Sequence, residues 1–201
     1  MLLSMIFNSI AQIILFSLIP VIFWAITSRK KMSFFSYIGI QKIDKAKMKD
    51  TFIWSTITLL FFLAISIYLL YITKGVETAT SKFSGLGFKG LLPALVYASL
   101  NTALPEEILF RGFLLKRVSN RFGVVCGNIV QGILFGLMHG ILFLSILNPV
   151  KTILVILFTG GVAFVMGYIN EKKANGSIIP SFVIHMIANL VSSVISLFSL
   201  I

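Results

Sequence analysis

The sequence predicts an all-α fold, a polytopic membrane helix bundle with about six transmembrane helices. Of the 201 residues, 58% are hydrophobic, 11% are charged and 19 are Phe. The mean hydropathy of +1.02 is typical of a chain that water cannot keep dispersed. Apolar stretches also recur at the length of ~20 residues that crosses the hydrocarbon core of a bilayer. We therefore expect an integral membrane protein.

Six stretches account for the expected helices. Three are continuously apolar and cover residues 2–26, 52–72 and, with its flanks, 153–169. Three are interrupted by polar groups and cover residues 91–115, 124–147 and 179–201. The first stretch is expected to be a retained span, because its basic cluster follows the apolar run instead of preceding it. The single cysteine, Cys126, excludes an intramolecular disulfide and leaves the redox compartment open.

The net charge of +11 is distributed in a way that favours a lipid partner over nucleic acid. Loops one, three and five between the expected helices hold twelve Lys and Arg residues: Arg29, Lys30, Lys31, Lys42, Lys45, Lys47, Lys49, Lys116, Arg117, Arg121, Lys172 and Lys173. Loops two and four hold four: Lys74, Lys82, Lys89 and Lys151. Cytoplasmic loops are the basic ones in membrane proteins, so both termini are expected to be extracytoplasmic.

Anionic lipid of the bilayer is the partner that this charge pattern implies, with residues 42–49 on the inner leaflet surface. The abundance of Lys, Ile and Phe is typical of AT-rich bacterial genomes, so the expected location is a bacterial cytoplasmic membrane. No nucleic-acid partner is expected. The oligomeric state is left open.

Polar groups divide the chain into two expected parts. Residues 1–87 hold two supporting transmembrane helices with a basic cytoplasmic loop, and residues 88–201 hold a helical core with most of the polar groups. Within the core, small residues four apart predict close approach of helix backbones. They are Gly132 with Gly136, and Ala163 with Gly167.

Ionisable and amide side chains recur inside the apolar segments of this core. Burying an ionisable group at mid-membrane costs ~2.5 to 3.5 kcal/mol, so such groups usually face a cavity or each other. The residues concerned are Glu106, Glu107, Arg111, Asn128, Gln131, His139, His185 and Asn189. Each alone has an ordinary structural explanation, but their occurrence on three helices indicates a functional site.

Helical spacing assigns the two adjacent glutamates to different tasks. Glu107 and Arg111 are four residues apart and can pair on one helix face. Glu106 is turned about 100° away from Glu107 and cannot share that partner equally. A carboxylate without a cation partner in a partly dry site is suited to act as a general base near neutral pH. The alternative for Arg111 is that it snorkels toward the membrane surface.

The same spacing of four relates His185 to Asn189 and Phe135 to His139. Counted at 1.5 Å per residue from the expected cytoplasmic loops, Glu106 and both histidines lie roughly 10 to 25 Å deep. The two imidazoles and the carboxylate are therefore expected to meet in one cavity.

These residues resemble the three ordered motifs of the CPBP (CAAX protease and bacteriocin-processing, Abi) family of intramembrane glutamic or metallo-endopeptidases. The motifs are Glu-Glu-x-x-x-Arg from residue 106, Phe-x-x-x-His from residue 135 and His-x-x-x-Asn from residue 185. The resemblance covers roughly residues 88–201. It implies that Glu107, Arg111 and Phe135 support the site.

The resemblance also implies the catalytic roles. Glu106 would activate water with help from His139, while His185 and Asn189 would donate to the oxyanion. Zinc is left open as a cofactor, because Glu106, His139 and His185 are of the types that ligate it. A metal-free glutamate mechanism is favoured, since no His-Glu-x-x-His sequence is present and Glu107 is better used on Arg111.

The function implied is an intramembrane endopeptidase acting on a membrane-associated or peptide substrate, in bacteriocin or peptide processing or in self-immunity. Two alternatives stay open. A non-catalytic immunity or scaffold protein would keep the fold and act by binding. A proton-coupled transporter would use Glu106 and the histidines as a relay. Whether the substrate carries a prenyl group is not indicated.

Overall fold

The computed structural model describes residues 1–72 and 75–200. These residues form helices and connecting segments without a β-strand, which confirms the predicted all-α fold. Two residues used in the sequence analysis, Lys74 and Ile201, lie outside the described ranges.

The chain begins with two long helices joined by a short one. The elements are α1 (Leu2–Thr27), α2 (Phe34–Tyr37) and α3 (Lys45–Ile72). A segment with two 3-10 turns follows and leads into a continuous helical run over residues 91–122, which we call the composite helix. Its parts are α4 (Leu91–Val96), a π-helix (Tyr97–Ala103), α5 (Leu104–Glu107), a second π-helix (Ile108–Leu115) and α6 (Lys116–Phe122).

Three further long helices complete the bundle. They are α7 (Val124–Phe143), α8 (Pro149–Tyr168), which continues as a π-turn (Ile169–Lys173), and α9 (Ile179–Leu197). Within the described residues, α1, α3, α7, α8 with its extension and α9 are long and apolar enough to cross a membrane. The composite helix corresponds to the remaining expected span, although its alternation of α and π segments was not predicted.

The helix boundaries differ from the expected ones at four places, one of which is the end of α9 at Leu197 instead of residue 201. Helix α3 begins at Lys45 instead of residue 52, so three lysines of the expected surface segment belong to its first turns. The composite helix continues to Phe122, beyond residue 115. Helix α7 ends at Phe143 and not at residue 147. Hydropathy marks where apolar residues stop, whereas the backbone hydrogen bonds of a helix extend through the flanking polar turns.

Helices α7 and α8 approach each other closely through their glycines. A Cβ atom added at Gly136 would lie 2.5 Å from the Ile156 carbonyl oxygen, and one added at Gly132 would lie 3.1 Å from the Gly160 oxygen. A Cβ atom added at Gly167 would collide with the side-chain oxygen of Asn128. The expected small residues thus lie at this interface, and Gly160 joins them.

One end of the bundle is closed by hydrogen bonds between its connecting segments. We call it the closed end; it holds residues 28–44, 116–123 and 169–178. Lys116 Nζ donates to Glu171 Oε1 at 2.8 Å and to the Gly176 carbonyl at 2.7 Å. Gln41 Nε2 donates to the Asn175 carbonyl at 2.6 Å.

The other end, here the open end, holds the beginning of α1, residues 75–90 and 144–148, and the end of α9. Met5, Phe83 and Leu197 pack there in one apolar cluster. The Ser196 hydroxyl donates to the Thr80 carbonyl at 2.8 Å.

Candidate active site

The Glu107 carboxylate is held at the centre of the bundle by three side chains. Arg111 NH1 lies 3.1 Å from Glu107 Oε1, and both side chains are completely buried. From α9, the Ser181 hydroxyl donates to Oε2, and His185 Nδ1 lies 3.1 Å from Oε1. The pairing of Glu107 with Arg111 occurs as predicted, and the alternative of a snorkelling Arg111 is wrong because its side chain is not exposed.

Glu106 points elsewhere and lacks such partners. Its Oε2 atom is buried and has no hydrogen-bond partner among the described residues. The nearest nitrogen that can carry a positive charge is His185 Nε2, which lies 3.7 Å from Glu106 Oε2. This distance is longer than a hydrogen bond. A buried acceptor without a protein partner is a position where a water molecule satisfies the missing hydrogen bond.

His185 stands between the two glutamates. Its Nδ1 faces Glu107, and its Nε2 faces Glu106. A carboxylate only accepts hydrogen bonds, so Nδ1 carries a proton in the contact with Glu107. For Nε2 to donate to a substrate at the same time, the ring must carry both protons.

His139 has its orientation set by the helix that carries it. Its Nδ1 lies 2.9 Å from the Phe135 carbonyl oxygen. Since a carbonyl only accepts, Nδ1 is the protonated nitrogen and Nε2 is left as an acceptor. The Phe135 ring packs against both imidazoles, with centroid distances of 4.4 Å to His139 and 5.9 Å to His185, and the Arg111 guanidinium covers it at 4.2 Å.

Asn189 reaches the same region from α9. Its Nδ2 donates to Thr102 Oγ1 at 2.8 Å. The Thr102 hydroxyl in turn donates to the carbonyls of Tyr97 and Ala98, at 3.1 Å each, in the first π-helix. An amide nitrogen carries two protons, so one donor of Asn189 remains for another partner.

Two cavities adjoin Glu106. One, of about 360 Å³, is lined by Glu106, His139, His185 and Asn189 together, with apolar walls from α3, α7 and α8. We call it the inner cavity. The other, of about 890 Å³, lies toward α1 and the open end, and we call it the outer cavity. Its polar wall includes Gln12, Glu77, Lys82, Asn101, Thr102 and Glu106.

Lys82 forms part of the wall of the outer cavity. Its Nζ lies 3.9 Å from the centroid of the Tyr97 ring. Partial burial lowers the pKa of Lys82 below its ordinary value. The outer cavity thus contains a lysine and two carboxylates, Glu77 and Glu106, whereas the inner cavity contains no lysine or arginine.

A comparison with protein-family models matches residues 88–191 to the family described as type II CAAX prenyl endopeptidase Rce1-like. The chain belongs to this family. Comparisons with curated proteins and with solved structures found no match. The matched region contains all three motifs from which the family resemblance was predicted, and that prediction is confirmed. The division at residue 88 and the role of each residue stay predictions.

The geometry of the site tests whether Glu106, His139 and His185 could bind a metal ion. Among the described residues, no group of three or more His, Cys, Asp and Glu side chains is arranged to hold a metal ion. The Nδ1 atoms of His139 and His185 are engaged, which leaves both Nε2 atoms free, and His185 Nε2 lies 3.7 Å from Glu106 Oε2. An engaged Nδ1 is usual for a zinc-binding histidine, but among the described residues Glu106, His139 and His185 are not gathered into a group that could hold a metal ion. The mechanism below therefore uses no metal.

Two site residues of this family member were missed in the sequence analysis. Ser181 precedes His185 by four residues, and Thr102 precedes Glu106 by four, so the spacing of four could have indicated both. They were missed because hydroxyl side chains are common in membrane helices and usually bond to their own helix. Ser181 and Thr102 make such bonds too, but they also hold Glu107 and Asn189 across helices.

Proposed function

We propose that this protein is a membrane-embedded endopeptidase in which Glu106 activates a water molecule against a peptide bond. The observation that carries the proposal is the unpartnered Glu106 oxygen, in a cavity that it shares with His139, His185 and Asn189. The substrate is a membrane-associated protein or peptide. Bacteriocin or peptide processing and self-immunity are the roles proposed for it.

The first step is attack by water. A water molecule at Glu106 Oε2 gives one proton to the carboxylate as its oxygen bonds to the carbonyl carbon. The second hydrogen of the water donates to His139 Nε2, whose lone pair faces away from the Phe135 carbonyl. Proton transfer by a positioned base contributes typically about 10²- to 10⁴-fold to the rate.

The second step is collapse of the tetrahedral intermediate. The carbonyl electron pair that moved to oxygen is stabilised by the remaining Asn189 amide proton and by His185 Nε2–H. Each such prearranged donor is worth ~3 to 4 kcal/mol. The C–N bond then breaks, and protonated Glu106 returns its proton to the leaving amine nitrogen, so the products are a carboxylic acid and an amine.

Three residues act by holding the catalytic side chains in position: Glu107, Arg111 and Phe135. The Glu107 carboxylate orients His185 through Nδ1, and Arg111 balances the charge of Glu107. Phe135 separates the two imidazoles and fixes their rings. These are positioning roles, because Glu107 and Arg111 line neither cavity and Phe135 has no polar side-chain atom.

The test compares two carboxylates that line the outer cavity. Glu106→Gln, His139→Ala and the control Glu77→Gln are purified and incubated with quenched fluorogenic peptides, with and without an acyl or farnesyl anchor. Cleavage is expected to be lost in the first two variants and kept in the control, with circular dichroism unchanged.

Other results would favour the alternatives. A cellular phenotype that survives Glu106→Gln and His139→Ala would favour a non-catalytic scaffold or immunity protein. Proton flux into liposomes that depends on Glu106 would favour transport. Equal loss of cleavage in Glu77→Gln and Glu106→Gln would overturn the assigned role of Glu106.

A further inference from the structure

The cavities that adjoin Glu106 are bounded by segments of the open end. Thr78 and Ala79 line both cavities, and Ser81 and Lys82 line the outer one. Leu147, which precedes α8, belongs to the wall of the inner cavity. A substrate that leaves the space beside Glu106 through either cavity therefore meets the connecting segments of the open end.

No cavity comparable to those at the open end lies between Glu107 and the closed end among the described residues. Glu107, Arg111 and Ser181 are completely buried, and they lie between Glu106 and the closed end. Behind them, Asn170 Nδ2 donates to Ser181 Oγ at 2.7 Å, and the Ile178 amide donates to the Gly39 carbonyl at 3.0 Å.

Basic residues are concentrated at the closed end. Nine of the twelve Lys and Arg residues of loops one, three and five lie within it, and Lys45, Lys47 and Lys49 follow in the first turns of α3. Of the four residues of loops two and four, Lys82 and Lys89 lie in the open end, Lys151 lies in the first turn of α8, and Lys74 is outside the described residues. Two of the twelve are paired with acidic groups, Lys116 with Glu171 and Lys173 with Asp50, and the excess persists without them. Short basic loops stay on the cytoplasmic side of a membrane.

These two asymmetries have one consequence. We propose that the substrate enters from the extracytoplasmic side, through the open end, so that the substrate class is an exported or outer-leaflet peptide segment instead of a cytoplasmic protein. The proposal rests on the proposed peptidase function, because only a peptidase has a peptide substrate. The side from which the cavities are accessible can be measured independently of that function.

Thiol accessibility tests the side of access. Cys126 is exposed and is first replaced by Ser. Single cysteines are then placed at two exposed loop positions, Ser84→Cys at the open end and Lys30→Cys at the closed end. A third, Met138→Cys, lies in the wall of the outer cavity. Intact cells are treated with a small membrane-impermeant methanethiosulfonate, and the remaining thiols are counted with a mass-tagged maleimide.

We expect Ser84→Cys and Met138→Cys to lose their free thiol in intact cells, whereas Lys30→Cys loses it only after permeabilisation. Labelling of Lys30→Cys in intact cells with protection of Ser84→Cys would overturn the orientation. Labelling of Ser84→Cys but of Met138→Cys only from the cytoplasmic side would overturn the route through the open end.

Right-side-out and inside-out vesicles separate this inference from the peptidase function. Fluorogenic peptide added outside should be cleaved by right-side-out vesicles, and modification of Met138→Cys should block that cleavage. Cleavage by inside-out vesicles alone overturns the side of access while the peptidase stands. Expected labelling together with full activity of Glu106→Gln overturns the peptidase role of Glu106 while the side of access stands.

Discussion

At the scale of single residues, the centre of the molecule depends on a buried ion pair. Removing one partner of such a pair leaves an uncompensated charge and costs ~3 to 5 kcal/mol. We expect Arg111→Met to lower the thermal unfolding temperature in detergent strongly, because Glu107 would remain charged and completely buried. The double variant Glu107→Gln/Arg111→Met should recover part of the loss. Equal unfolding temperatures for the single and double variants would contradict this.

Asn189 is predicted to act on the transition state and not on substrate binding. Removing one oxyanion donor costs about 10²- to 10³-fold in kcat. We expect Asn189→Ala to lower kcat by this factor with little change in KM, measured on a cleaved fluorogenic peptide. Asn128→Ala is the matched control, because the Asn128 amide donates to the Phe164 carbonyl at 2.8 Å in the α7–α8 interface. It should lower stability and leave kcat unchanged, and a rise in KM alone for Asn189→Ala would contradict the role.

The sequence was sufficient to locate most of the proposed site residues. Spacing by four placed Glu107 on Arg111 and separated Glu106 from both, and the structure has this arrangement. What spacing could not indicate is the contacts between helices. His185 lies between both glutamates, and Thr102 holds Asn189, because of how α9 packs on the composite helix, and no local pattern encodes that packing.

At the scale of elements, the composite helix is where the sequence analysis was least complete. Hydropathy predicted one span, but the structure has two π-helical segments flanking the four-residue α5 that carries both glutamates. Pro105 in α5 lacks an N–H, so the regular hydrogen-bond ladder cannot continue through it. Segments with π-helical bonds often occur at functional sites, and here they change the directions of side chains relative to an unbroken helix.

The α7–α8 interface gives a prediction of its own. In a membrane, helices associate through close packing because lipid removes the hydrophobic driving force between them. Gly136→Ala places a Cβ 2.5 Å from a backbone carbonyl of α8, and overpacking of this kind costs ~1 to 3 kcal/mol. Gly161→Ala is the control, since its Cβ would meet nothing within 4 Å. Thermal unfolding in detergent should separate the two variants, and equal unfolding temperatures would contradict the packing argument.

At the scale of the whole molecule, α1 and α3 differ from the other spans. In the most apolar 18-residue stretch of each of these two helices, only 6% of the residues are buried inside the protein. The corresponding share is 33% to 39% in α7, α8 and α9. The surfaces of α1 and α3 therefore face lipid along most of their length. The apolar composition that predicted a membrane protein is largely the composition of this outer surface, whereas Glu106, His139, His185 and Asn189 line the inner cavity.

This arrangement predicts how α3 responds to charge at different depths. Leu60 and Met48 both lie on α3 and are 63% and 55% exposed, but twelve residues, or about 18 Å, separate them along the helix. A lysine at the centre of a span costs ~2.5 to 3.5 kcal/mol on insertion scales, and one near the membrane surface costs little. We expect Leu60→Lys to lower the fraction of protein that resists alkaline carbonate extraction, while Met48→Lys leaves it unchanged. If both variants insert equally well, the exposed face of α3 does not contact the hydrocarbon core at Leu60.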